Sequence, residues 1–104
     1  KLTTENYFIE IARIQKSDYE LMIAKNHDYA PPDDPLANFT EFGAFGIIVR
    51  LVDKFSRLKR LFKSANRVVN ETIIDTLQDI RNYCTIMQVI MENRLEHLSE
   101  GKKE

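Results

Sequence analysis

The stretch that most constrains this chain runs from Asn70 to Met91, NETIIDTLQDIRNYCTIMQVIM. It carries two patterns on one helix. Ile73, Leu77, Ile80, Cys84, Met87 and Met91 alternate at steps of four and three and form one apolar stripe. Glu71, Asp75 and Asp79 follow at steps of four, with Asn82 three further on, and form a second stripe. Like charges four apart repel by a few tenths of a kcal/mol per pair in water. Three stacked acids therefore call for something cationic in front of them: a basic side chain, a metal ion, or both.

The cations are nearby in sequence. From Arg50 to Arg67 there are seven (Arg50, Lys54, Arg57, Lys59, Arg60, Lys63, Arg67) against Asp53 alone, a surplus of six. The net charge of −1 leaves −7 for the rest, so the chain is bipolar although nearly neutral. Near-neutrality argues against general DNA or membrane affinity. No apolar run approaches the length of a membrane span and no secretory leader is visible, so a soluble, cytoplasmic protein is expected. Cys84 is the only cysteine and lies on the apolar stripe, where a reduced, buried thiol is expected.

A chain of 104 residues makes one domain. The pattern predicts residues 1–98 as a single helical domain and 99–104 as a frayed tail. A first helix is expected over 4–26, capped by Thr3 or Thr4, with Tyr7, Phe8, Ile11, Ile14, Tyr19, Met22 and Ile23 at helical spacing. Three prolines between positions 31 and 35 end it in a polar loop, longer than helix connections usually are. Thr40–Phe42 suggest a short helical turn before Gly43 and Gly46. A second helix is expected over 47–63, burying Ile48, Leu51, Val52, Phe55, Leu58 and Phe62. Asn70 is the expected cap of a third helix that runs to about Leu98, where His97 would meet its C-terminal end. The short connector makes the second and third helices antiparallel neighbours. Ile86, Val89 and Ile90 add a second apolar face to the third, as in a helix that is central or at a subunit contact. The expected fold is an all-α antiparallel bundle of three long helices with a proline-rich loop after the first. A small domain with a lean core also suggests a homo-oligomer.

Two chemistries suit the charged stripes. In one, Arg50, Lys54 and Arg57 face Asp75 and Asp79 as a ladder of interhelical ion pairs without further function. In the other, the cations hold nucleotide phosphates, and Asp53, Glu71, Asp75 and Asp79 hold Mg²⁺, which prefers oxygen ligands. The proline loop offers a roof. Asp28 and Asn38 can hydrogen-bond a base or sugar, and Tyr29 or Phe39 can stack on a base. The plainer reading of Asn26, Asp28 and Asn38 is that such side chains close turns on their own backbone. A glycine-rich phosphate loop, a CxxC and an HExxH are all missing from the sequence.

Four blocks in order resemble the phage and bacterial nucleotide modification associated domain 1 family. They are Lys25, Asn26, Asp28 and Tyr29; Asp34 to Phe39; Arg50, Asp53, Lys54 and Arg57; and Glu71 to Tyr83. The resemblance spans about residues 20–91. It implies a role in nucleotide or modified-base metabolism, mostly in phages, and supplies no reaction. A weaker resemblance is to the all-α NTP pyrophosphohydrolases of the MazG and dimeric dUTPase group, which place acids on two helices for Mg²⁺. Here Glu71, Asp75, Asp79 and Tyr83 are similar, but the preceding helix carries bases and only Asp53. That exchange favours direct phosphate binding over activation of a metal-bound water. Three functions follow as expectations: a nucleotide-binding, non-catalytic sequestering protein; a Mg²⁺-dependent pyrophosphohydrolase; and a structural oligomer without a ligand.

Overall fold

The computed structural model describes residues 1–39, 42–64, 67–93 and 95, with backbone alone over 67–70. It is all-helical, with no strand among the described residues. The elements are α1 (Thr4–Tyr29), a short 3₁₀ turn (Ala37–Phe39), α2 (Gly43–Phe62) and α3 (Arg67–Glu92).

Thr3 caps α1 by accepting a hydrogen bond from the Asn6 amide at 3.1 Å. The helix runs three residues past the expected end. It stops where Pro31 forces Ala30 into extended backbone, φ −138° and ψ 143°. The proline loop then folds on itself: Asp34 N–H donates to Pro31 O, Ala37 N–H to Asp34 O, and Phe39 N–H to Leu36 O. Asn26 Nδ2 ties the two ends together by donating to Pro35 O at 2.8 Å.

The two glycines expected to precede the second helix are inside it. Gly43 opens α2 at φ 63°, a left-handed conformation that favours glycine. At Gly46 an added Cβ would lie 2.5 Å from Phe42 Cβ, so only a bare backbone fits there. The helical turn falls at Ala37–Phe39, while Thr40 and Glu41 lie outside the described residues. α3 starts at Arg67, which puts Asn70 within the helix and not at its cap. His97, Leu98 and the 99–104 tail lie outside the described residues.

α2 and α3 form the principal packed pair, an antiparallel hairpin, and α1 lies on α3. The register is fixed at two points. Arg50 lies over the Tyr83 ring, and Lys54 meets Asp79 one turn on in α2 and one turn back in α3. The core of the described residues is Phe39, Ala44, Ile47 and Ile90, joined by Leu51, Tyr83, Ile86 and Met87. It is therefore the Tyr83–Ile86–Ile90 face of α3 that is buried. The first apolar stripe is split: Ile80 is buried and Met87 packs on the core, whereas Leu77, Cys84 and Met91 are exposed, as are Ile48, Val52, Phe55 and Phe62 of α2. This corrects the expectation of buried stripes and of a buried Cys84. Two apolar faces cannot both turn toward one neighbouring helix, and α2 takes the second. Along α1, Tyr7, Phe8, Tyr19 and Ile23 are also exposed, and every residue from 1 to 10 is open to solvent.

Candidate functional site

Asp79 is where the three helices meet. Its Oδ2 accepts from Lys54 Nζ of α2 at 2.8 Å, and its Oδ1 lies 3.4 Å from Lys25 Nζ of α1. One carboxylate thus faces two ammonium groups, leaving one positive charge in surplus. Each ammonium has three donors and gives one to Asp79, so several still point outward. Of the pairings expected between the basic and acidic stripes, the structure makes Lys54 with Asp79. Lys54 makes the contact, while Arg57, one turn nearer the connector, is exposed and unpaired among the described residues. Counting along the antiparallel pair from the Lys54–Asp79 contact brings Arg57 level with Thr76 and past Asp79.

Arg50 lies one turn before Lys54. Its guanidinium sits 5.4 Å from the Phe39 ring centre and 5.8 Å from that of Tyr83. A cation over aromatic faces gains about 0.5–2 kcal/mol, depending on how dry the site is. No carboxylate pairs with it among the described residues, so its donors are held by geometry and not consumed by an anion. Asn38, Phe42, Gly43 and Gly46 complete a small cleft around it. Phe39 is buried here and forms part of the core. A base stacked on Phe39 would have to displace Arg50, which corrects its assignment as a stacking platform.

The other loop residues are spread around this point. Tyr29 follows Lys25 by one turn and is exposed, and Asp28 lies beside His27 at 3.5 Å. Asn26 is engaged in closing the loop. Of the four acids assigned to metal, Glu71, Asp75 and Asp53 are exposed and Asp79 is taken by lysines. Among the described residues no three acidic, histidine or cysteine side chains come together in a metal-holding group. Asp53 also makes no pair with Arg50 or Arg57 among those residues.

Sequence reasoning missed a second charged contact, on the opposite flank of α3. Arg81 Nε and Nη2 donate to the two carboxylate oxygens of Asp18 at 2.7 and 3.0 Å. Asp18 is buried, and the Arg81 guanidinium holds its carboxyl below the usual carboxylate range while burial opposes that shift. Asn82 Nδ2 donates to the Asp18 backbone carbonyl at 3.3 Å, and Gln78 Nε2 donates to Ser17 Oγ at 3.2 Å. Asp18 interrupts the apolar spacing of α1, and that single buried-face acid was the available signal.

An open groove of about 440 Å³ lies away from these charges. It is lined by Phe55, Leu58, Phe62, Ile73 and Leu77 together with Lys59 and Lys63. Asp79 stands about 200° around α3 from Leu77, on the other side of the helix. Apart from those two lysines the groove is apolar. Among the described residues no helix is long and apolar enough to cross a membrane.

The model of the nucleotide modification associated domain 1 family matches residues 37–91, from the 3₁₀ turn through α2 and nearly all of α3. The chain belongs to that family. The matched part holds Arg50, Lys54, Asp79 and Tyr83, whereas Lys25, Asn26, Asp28 and Tyr29 precede it. No curated protein and no solved structure matches the chain.

Proposed function

We propose that this member of the nucleotide modification associated domain 1 family binds a nucleotide or nucleotide-derived phosphate at the junction of its three helices. Arg50 carries the reading: a guanidinium held between two rings with no carboxylate partner among the described residues, one turn from Lys54. Arg50, Lys54 and Lys25 supply the phosphate donors, and Arg57 extends the same stripe toward the connector. Charge-assisted hydrogen bonds to phosphate are roughly twice as strong as neutral ones, and the arginine fork suits two oxygens at once. Tyr29 is the exposed ring available to stack on a base, and Asn38 and Asp28 are the polar groups nearest in chain to hydrogen-bond base or sugar. Asn26 keeps the loop closed and serves the ligand indirectly.

The role in this reading is binding, as in a sequestering protein: Asp79 is held by two lysines, and α2 sets Arg50, Lys54 and Arg57 against a single acid, Asp53. Mg²⁺, in this reading, arrives on the phosphate chain and keeps most of its waters. The test is the melting temperature across nucleoside mono-, di-, tri- and cyclic phosphates, with and without Mg²⁺. At least one should raise it without Mg²⁺, by the amount its affinity and concentration dictate. A curve that none of them moves overturns the reading.

A further inference from the structure

The side of the α2–α3 hairpin away from Asp79 is an apolar face with no neighbour among the described residues. Ile48, Val52, Phe55 and Phe62 of α2 run alongside Leu77 and Met91 of α3, with exposures from 38% at Ile48 and Leu77 to 80% at Phe62. Six such side chains, half-exposed on average at roughly 200 Å² each, present on the order of 600 Å². A standard stable interface takes about 800 Å² per partner, and smaller specific ones about 600 Å². The face has that extent before the groove residues Leu58 and Ile73 are added.

We infer that this face pairs with the same face of a second copy of the chain, giving a four-helix layer. Three observations favour a second copy. The fully buried hydrophobic side chains among the described residues are few, Phe39, Ala44, Ile47, Ile80 and Ile90, so a small core gains from covering the face. A self-paired face needs no second complementary surface. The net charge of −1 sets little repulsion between copies. Orientation follows from the two lysines at the turn end: Lys59 and Lys63 border the groove and repel if the turns lie together, so the copies pack end for end. α3 then lies over α3, and exposed Cys84, near the middle of the Ile73–Met91 stripe, comes close to its counterpart.

The inference stands apart from the nucleotide reading, and its test uses no ligand. The full chain should have twice the 12.2 kDa chain mass in solution at tens of micromolar. Facing helix layers pack about 8–10 Å apart, within reach of a short bismaleimide. Because the chain has one cysteine, any bismaleimide dimer is linked through Cys84 on both sides. Phe55→Glu should yield a monomer of unchanged helical content and abolish the cross-link. A chain that is monomeric at these concentrations overturns the inference, as does a dimer that Cys84 does not capture and Phe55→Glu does not disrupt.

Discussion

The two flanks of α3 each carry a charged contact, and they are built differently. On the α1 flank, Asp18 and Arg81 form a bidentate, one-to-one pair, with Asp18 buried and its backbone carbonyl also taken by Asn82. On the α2 flank, one partly exposed carboxylate faces two lysines, with unpaired Arg50 a turn away. The first contact is charge-balanced, with the Asp18 carboxylate held at both oxygens by Arg81. The second is positive, open and under-used. Ion pairs that look alike in sequence separate into a fastener and a candidate site once their stoichiometry is known.

The largest effect should come from breaking the fastener. Arg81→Ala leaves Asp18 buried without its counter-charge. Arg81 is 41% exposed, which discounts the full cost of a buried unpaired charge, and about 2 kcal/mol is expected. That lowers the melting temperature by roughly 10 °C for a domain of this size, with no change in the pattern of nucleotides that stabilise it.

Next comes Arg50→Gln, which should cost no more than about 1 kcal/mol of stability, the value of a cation over rings near the surface. It should nonetheless weaken phosphate binding about tenfold, equivalent to about 1.4 kcal/mol. Isothermal titration and a urea melt on the same variant separate the two effects. The contrast with Arg81→Ala is the point: one arginine affects stability and the other affects the ligand.

A smaller effect, of opposite sign for the ligand, is expected at Asp79→Asn. Stability should fall by less than about 1 kcal/mol, as for other solvent-accessible pairs. Phosphate affinity should rise severalfold, because Lys25 and Lys54 lose the anion that competes with the ligand. If affinity falls instead, Asp79 positions the lysines rather than competing for them.

The smallest effect is in the acid limb of stability. Arg81 depresses the folded-state carboxyl of Asp18, so the folded chain binds fewer protons than the unfolded one near that pH. This contribution is fully present above the unfolded Asp value of about 4 and is lost as pH falls through the depressed folded value. Asp18→Asn should remove that part of the slope in urea melts below about pH 4 and leave the neutral range parallel to wild type.

The fold was legible where periodicity is unambiguous. Three helices, the proline break and the antiparallel hairpin all follow from spacing and turn chemistry. What spacing could not decide was which of two apolar faces of α3 is buried. Ile73–Leu77–Ile80–Cys84–Met87–Met91 and Tyr83–Ile86–Ile90 are both good helical stripes, and the hairpin register buries the second together with Ile80 and Met87 of the first. The same register put Lys54, and not Arg57, opposite Asp79. The bipolar charge pattern did point to the α2–α3 junction. Lys25 as its third member was visible only as part of a loop block, because nothing local says that the end of α1 reaches α3. Phe39 reads as a loop aromatic, and only packing shows that its ring belongs to the core and to Arg50.

The account rests on the positive surplus around Arg50, Lys54 and Lys25 being a phosphate site. Titration of inorganic triphosphate into wild type and Arg50→Gln, at low and at moderate salt, addresses it without choosing a base. Binding to wild type should be saturable, weaken with salt and drop about tenfold in Arg50→Gln. No saturable binding, or equal binding by both proteins, would contradict it.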